Sequence, residues 1–266
     1  MSTLTKHYTV DTHSVPGLSE TVASLPLSLA PAGQEPAQLA AIAGTPGWLE
    51  RTREALDGGA LAAVVSSPSA ADGILSLPTD FAQRAIVEWS FASNPGLQTA
   101  AEATSSLRET AVFADIELRV PTETNFDDVL LDVLIAAGRV FGSMSPVRSL
   151  HRDKAGWHLA SWLRGQASDV PVSFSIIATD AAPATLRLRL LTQDGGLSAS
   201  VPSPATAEPA EVRITGPDGE RLLPTLWETS RRVSWRRAVA VAAGEAVSDD
   251  LSELDGAISL APKGMG

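Results

Sequence analysis

Residues 130–141 read LLDVLIAAGRVF, and the reading of the fold turns on them. From Phe126 to Phe141 the apolar side chains recur with helical spacing, so a helix is predicted over 126–141, with Gly142 at its end. Within it Asp132, Ala136 and Arg139 stand four and three residues apart, which places them on one face. Asp127 and Asp128 make its first turn acidic, the usual complement to a helix dipole.

Working outward from this helix, FADIELRVP from Phe113 alternates apolar and polar residues with the period of a half-buried strand. Downstream, VSFSIIATD (172–180), TLRLRLLT (185–192), LSASVP (197–202) and AEVRITG (210–216) are predicted strands. Asp194-Gly195-Gly196 and Pro217-Asp218-Gly219 supply turn chemistry, so an antiparallel meander follows. In TLRLRLLT the residues Leu186, Leu188 and Leu190 face one way and Arg187 and Arg189 the other, giving one apolar side that packs on helices and one polar side. Thr229 to Val247 is predicted to close the chain as a helix carrying Trp235, and the tail after Asp255 to be loose.

The first half alternates short apolar runs with helical stretches, as α/β units do. Leu25 to Leu29 is the expected first strand, interrupted by Pro26. QLAAIAG and TPGWLERTREALDGG, between Glu35 and Leu56 and just beyond, read as helical pieces, with Thr45 as N-cap, Pro46 in the first position and Gly58-Gly59 as the stop. Leu61 to Val65 is a short buried strand leading into Ser66-Ser67-Pro68; 72–89 resumes a helix, with a strand end at 86–91. A boundary is expected at 105–112, and the sequence has no internal repeat.

Composition narrows the function classes. The chain has 266 residues, 44% hydrophobic, enough for a real core, with net charge −11 and pI near 4.8. That balance disfavours a nucleic-acid groove, which needs clustered cations facing phosphates. With no cysteine, thiol nucleophiles and thiolate metal sites are excluded. The segment MSTLTKHYTVDTHSV has no apolar stretch after Lys6, and no apolar run approaches the roughly 18 residues of a membrane helix. A cytoplasmic protein without membrane contact is expected.

The order of elements, with strand and SSP loop at 61–68, strand 113–120, helix 126–141 with Gly142, and a meander ending in DGE, resembles the Gfo/Idh/MocA group of glucose-fructose oxidoreductase and inositol dehydrogenase relatives. The resemblance covers about residues 35–245. It implies an α/β fold: a degenerate or truncated Rossmann-like domain over 1–112, then an α+β domain over 113–266 with an open, mainly antiparallel sheet. NAD or NADP would be the family cofactor.

Three family motifs are altered on this reading. No GxGxxG spacing of glycines follows the expected first strand, which leads into APAGQEP. The Glu-Lys-Pro triplet, sought after the strand at 61–65, reads Ser66-Ser67-Pro68, and no Lys occurs between Lys6 and Lys154. The helix pattern of Asp, His and Asp gives Asp132, Ala136 and Arg139; Ala cannot exchange a proton, and Arg139 reverses a charge. No bound cofactor is therefore expected.

Other candidates carry less. His151 and His158 could relay a proton or bind metal, yet their seven-residue gap on a loop or helix lacks an acidic third ligand, so no metal is expected. Arg231, Arg232, Arg236 and Arg237 surround Trp235; Arg232 and Arg236 lie one turn apart and could grip an anion or a partner, or form an ordinary solvated face. Ser66 and Ser67 lack a nucleophile elbow.

The expected function is a catalytically degenerate oxidoreductase relative acting as a partner or regulatory subunit, or as a small-molecule-binding protein. It would form a homo-oligomer, or a hetero-oligomer with an intact relative, through the C-terminal sheet, and take a small polar metabolite. The alternative is a small-metabolite enzyme, redox or not, using Asp132, Arg139, His151 or His158 in the second-domain cleft. A further alternative is a dehydrogenase whose cofactor loop lies near Ala30 to Glu35.

Overall fold

Strands Ala62–Ser66 and Ala85–Glu88 are apolar without alternation, and their Ala62, Val64, Val65, Ile86 and Val87 are buried, which is the pattern of a parallel sheet covered on both faces. They belong to the first of two compact units in the computed structural model, which describes residues 7–70, 78–165, 168–206 and 208–263. Unit 1 runs to Trp89 and takes in Arg231–Asp255; unit 2 comprises Ser90–Ser230 with the residues from Gly256 onward. The boundary expected at 105–112 lies inside unit 2.

Unit 1 contains β1 (Tyr8–Val10), α1 (Leu18–Ala23), β2 (Leu29–Pro31), β3 (Leu39–Ala43), α2 (Trp48–Asp57), β4 (Ala62–Ser66), α3 (Thr79–Arg84) and β5 (Ala85–Glu88). The five strands are all parallel, in the order β2-β1-β3-β4-β5. This is a doubly wound sheet whose direction of growth reverses between β1 and β3, the place where such folds bind ligands at the carboxyl ends of the strands.

The first strand is thus Tyr8–Val10, and not the expected Leu25 to Leu29. Leu39–Ala43, read as helical, is an interior strand, because burial on both faces outweighs the helix preference of its alanines. The predicted helix at 72–89 reduces to α3 and β5 within the described residues; 71–77 lie outside them.

Unit 2 contains α4 (Gly96–Thr104), β6 (Ala111–Val120), α5 (Phe126–Phe141), β7 (Arg148–Arg152), β8 (Gly156–Leu163), β9 (Val170–Ala178), β10 (Thr185–Thr192), β11 (Gly196–Pro202), β12 (Glu211–Gly216) and β13 (Gly219–Leu222). The eight strands form one sheet, ordered β13-β12-β11-β10-β6-β9-β8-β7, antiparallel throughout except for the parallel pair β6–β9. The predicted fold class, a Rossmann-like parallel unit followed by a mainly antiparallel sheet, is what the chain adopts.

Alternation decides the faces: Ile116, Leu118, Phe174, Ile176, Leu186, Leu188 and Leu190 are buried under α4 and α5, while Asp115, Glu117, Arg187 and Arg189 point outward. Helix α5 begins where Asn125 accepts the amide of Asp127, and ends at Gly142 with φ 91°. Asp127, besides its place at the dipole, is gripped by both terminal nitrogens of Arg152 at 2.8 and 3.0 Å.

The closing segment forms α6 (Ser230–Ala242) and α7 (Asp250–Leu260). Trp235 and Ala238 enter the unit 1 core with Val10, Leu18, Val22, Leu39, Val64 and Ile86. Strand β5 is an edge, and its outward Val87 amide is satisfied by the Asp250 carboxylate at 2.7 Å. Arg237 holds that fully buried carboxylate with two bonds of 2.7 and 3.0 Å. No helix among the described residues is long and apolar enough to cross a membrane.

Candidate functional site

At the carboxyl end of β1 the chain turns through Asp11–Gly17 into α1. Thr12, Ser14 and Gly17 stand at the spacing of the three fingerprint glycines, with hydroxyl residues in the first two places. Gly17 has φ 73°, a conformation that favours glycine, and a β-carbon there would lie 2.8 Å from Arg231 Nη1, so the guanidinium would have to shift. The Asp11 carboxylate accepts from the His13 amide at 3.0 Å and the Ser14 hydroxyl at 2.7 Å; these two bonds hold its carboxyl below the usual range. Of the segment from Ala30 to Glu35, Ala30 and Pro31 belong to β2, paired with Thr9 and Val10 of β1, and the rest follows that strand.

The exits of β3 and β4 are sewn together. Gly44 donates to the Ser66 carbonyl at 2.9 Å and accepts from the Ser69 amide at 2.7 Å, and any side chain at Gly44 would collide with the carbonyls of Ser66 and Ser67. Ser67 itself has φ 47°, a conformation uncommon for a residue with a side chain. Ser66 and Ser67 thus shape a turn.

The end of β5 offers a better register for the triplet sought at Ser66-Ser67-Pro68: Glu88-Trp89-Ser90 keeps the Glu, with Trp89 in place of Lys and Ser90 in place of Pro. Glu88 is 6% exposed. Its Oε1 accepts from Arg231 Nε at 2.8 Å and from the Ser66 hydroxyl at 3.3 Å, while Oε2 is buried with no hydrogen-bond partner. Arg231 Nη1 goes on to the Pro16 carbonyl at 2.9 Å. One guanidinium therefore joins the β1 turn to the end of β5.

In unit 2, Asp132 is held from both sides. Its Oδ1 accepts the Ala92 amide at 2.7 Å, and its Oδ2 the Phe91 amide at 3.0 Å. Burial pushes the carboxyl up to about 6, against the hydrogen bonds from Ala92 and Phe91 and the charge of Arg139. Arg139 donates to the Ala92 carbonyl at 2.6 Å, so the pair clamps one segment, 90–92, onto α5; Ala136 beside them is fully buried. The geometry fits anchoring better than proton transfer.

The histidines lie on neighbouring strands, and not on a loop or helix: His151 in β7 is directly opposite His158 in β8. Both are exposed; His151 Nε2 is 3.2 Å from Asp153, and His158 Nδ1 is 3.1 Å from the Ser175 hydroxyl. Among the described residues no group of three or more metal-ligating side chains converges. A cavity of about 200 Å³ in unit 2, lined by Arg108, Phe141, Leu163, Arg164 and Leu190 among others, includes none of Asp132, Arg139, His151 and His158.

The proposed arginine contact also resolves into separate roles. Trp235 is 1% exposed in the unit 1 core and so offers no surface to an anion or partner. Arg232 donates to the Ser24 carbonyl at 3.0 Å, at the end of α1, whereas Arg236 is exposed. Arg231 and Arg237, thought of as neighbours in a charged face, hold Glu88 and Asp250. No sequence signal tied Arg231 to Glu88, 143 positions away.

By sequence the chain matches no family model and no curated protein. By structure it is similar to KijD10, a 3-ketoreductase from Actinomadura kijaniata seen with NADP and TDP-benzene, at TM-score 0.58 and 15% identity over 91% of this chain and 83% of that one. It is also similar to the dehydrogenase MviM from Clostridium difficile (TM-score 0.57, 11% identity, 90% and 83% covered). A Magnetospirillum magnetotacticum protein described as an oxidoreductase gives TM-score 0.59 at 15% identity, with 96% and 99% covered. The expectation of no cofactor is corrected by this comparison, since a protein of the same fold is seen holding NADP. The turn with the fingerprint spacing follows β1 and is not the segment after Leu25 to Leu29. The chain has the fold of the Gfo/Idh/MocA-type oxidoreductases.

Proposed function

We propose that this chain binds a nicotinamide nucleotide along the carboxyl edge of the unit 1 sheet and acts as a binding or regulatory protein of the oxidoreductase type. One observation carries the reading: a glycine-terminated turn, Thr12 to Gly17, leaves strand β1 of a parallel sheet at the sheet's point of reversal. The nucleotide, when bound, would bring a hydride donor or acceptor. The chain would hold it with backbone amides of the 11–17 turn and the hydroxyl of Thr12, since Asp11 takes the His13 amide and the Ser14 hydroxyl. The similarity to an NADP-holding 3-ketoreductase supports the same assignment.

The regulatory part rests on residues of each unit. Ala136 has no exchangeable proton, both oxygens of Asp132 are engaged by backbone amides, and Trp89 stands where the triplet would have Lys. Titration of the purified chain with NADPH and with NADH, followed by energy transfer from tryptophan to the nicotinamide, tests the reading. Saturable binding in the micromolar range is expected for one of them; no binding of either at millimolar concentration overturns it.

The outward face of the eight-stranded sheet supports self-association as the partner mode. Trp162 of β8 is 51% exposed, and on β10 Leu191 is 43% exposed next to Arg189, which pairs with Asp115 at 2.6 Å. Apolar side chains next to charged pairs suit a self-complementary contact.

A further inference from the structure

We propose that Arg231 is the positioning residue of the nucleotide turn, with Glu88 as its buried anchor; this rests on the nucleotide reading of unit 1. The turn has lost two of three glycines, and its Asp11 brings a negative charge close to where a pyrophosphate would lie. A phosphate-binding turn built this way needs an external brace. Arg231 supplies it: Nη1 holds the Pro16 carbonyl at 2.9 Å, next to Gly17, and Nε is fixed on Glu88 Oε1 at 2.8 Å, where the two charges balance.

Four details make the arrangement specific. Guanidinium geometry lets one side chain donate in two directions at once, which a lysine ammonium on a flexible stem does less well. Glu88 is enclosed, so its carboxylate needs the Arg231 charge, and Ser66 from β4 shares the same oxygen at 3.3 Å. A β-carbon added at Gly17 would lie 2.8 Å from Arg231 Nη1, so the guanidinium would have to shift to accept it. The Nη2 nitrogen has no bond to the protein among the described residues, leaving donors for a phosphate oxygen.

The brace also accounts for Arg231 where the triplet lacks its lysine. The cation paired with the β5 carboxylate arrives from α6 in the same unit, not from the residue after Glu88.

The experiment compares the parent chain with Arg231→Met, Arg231→Lys and Glu88→Gln, titrating each with reduced dinucleotide and with reduced nicotinamide mononucleotide, which has no pyrophosphate. A brace on the pyrophosphate turn predicts about tenfold or greater loss of dinucleotide affinity in Arg231→Met, partial recovery in Arg231→Lys, and less than about twofold change for the mononucleotide. Loss of both affinities together would mean general damage to the unit and would overturn the positioning role. So would unchanged dinucleotide binding in folded Arg231→Met or, should that variant not fold, in Arg231→Lys and Glu88→Gln. Failure of the parent chain to bind dinucleotide would instead overturn the nucleotide reading, and this role with it.

Discussion

Asp132 Oδ1 lies 2.7 Å from the Ala92 nitrogen, so a carboxylate on helix α5 anchors the segment that enters unit 2. Burial raises this carboxyl from 3.8 to about 6, outweighing the Ala92 and Phe91 bonds and the Arg139 charge. A carboxyl raised in the folded state binds its proton more tightly folded than unfolded, so its contribution to stability is complete below the unfolded value and is lost as pH rises through the folded one. The displacement corresponds to about 3 kcal/mol. Urea unfolding from about pH 4 to about pH 7 should therefore show the parent chain losing stability relative to Asp132→Asn across this window. Parallel profiles for the two proteins would contradict the assignment.

Gly17→Ala tests the turn from its other side. The left-handed conformation costs a residue with a β-carbon about 1–2 kcal/mol, and Arg231 Nη1, 2.8 Å away, must also move. Calorimetry should find the variant less stable by at least that amount, and the nucleotide titration should find it weaker by about tenfold, since a displaced Arg231 no longer braces Pro16. Undiminished stability would mean that the turn relaxes freely.

Much of unit 2 was legible because its signals are local. Strand β6, helix α5 and strands β9 to β12 each show clean alternation, helical spacing or Gly-containing turns, and they fall where the pattern put them. The β7–β8 hairpin was missed although Asp153 accepts the amides of Ala155 and Gly156, a side-chain turn that Asp-Lys-Ala-Gly could have suggested. Strand β1 has three residues, too few for a period to register, and so the candidate phosphate turn was sought after the wrong strand. The roles of Arg231, Trp235 and Asp250 depend on α6 and α7 returning to unit 1, which no window of sequence can express.

Asp250 supplies the sharpest stability prediction. It is fully buried, holds Arg237 by two bonds, and satisfies the edge amide of Val87. Asp250→Ala strands the Arg237 charge and uncaps the strand, and should cost about 3–5 kcal/mol; Asp250→Asn, which can still accept from Val87, should cost less. Chemical denaturation gives the totals, and amide exchange at Val87 reports the local loss. Equal costs for the two variants would argue that the edge bond is unimportant.

The outer sheet face yields a prediction about assembly. Arg189 and Asp115 are partly solvated, and such pairs contribute little to stability, about 0–1 kcal/mol, so Arg189→Ala should barely move the unfolding midpoint. Trp162, half exposed on the same sheet, would by contrast be buried in a self-complementary contact. Trp162→Glu would place a charge in that contact on both copies at once, and a dimeric parent chain should become monomeric by sedimentation with its thermal unfolding of the monomer little changed. A parent chain that sediments as a monomer at all concentrations, or a Trp162→Glu variant of unaltered mass, would remove the sheet face as the site of association.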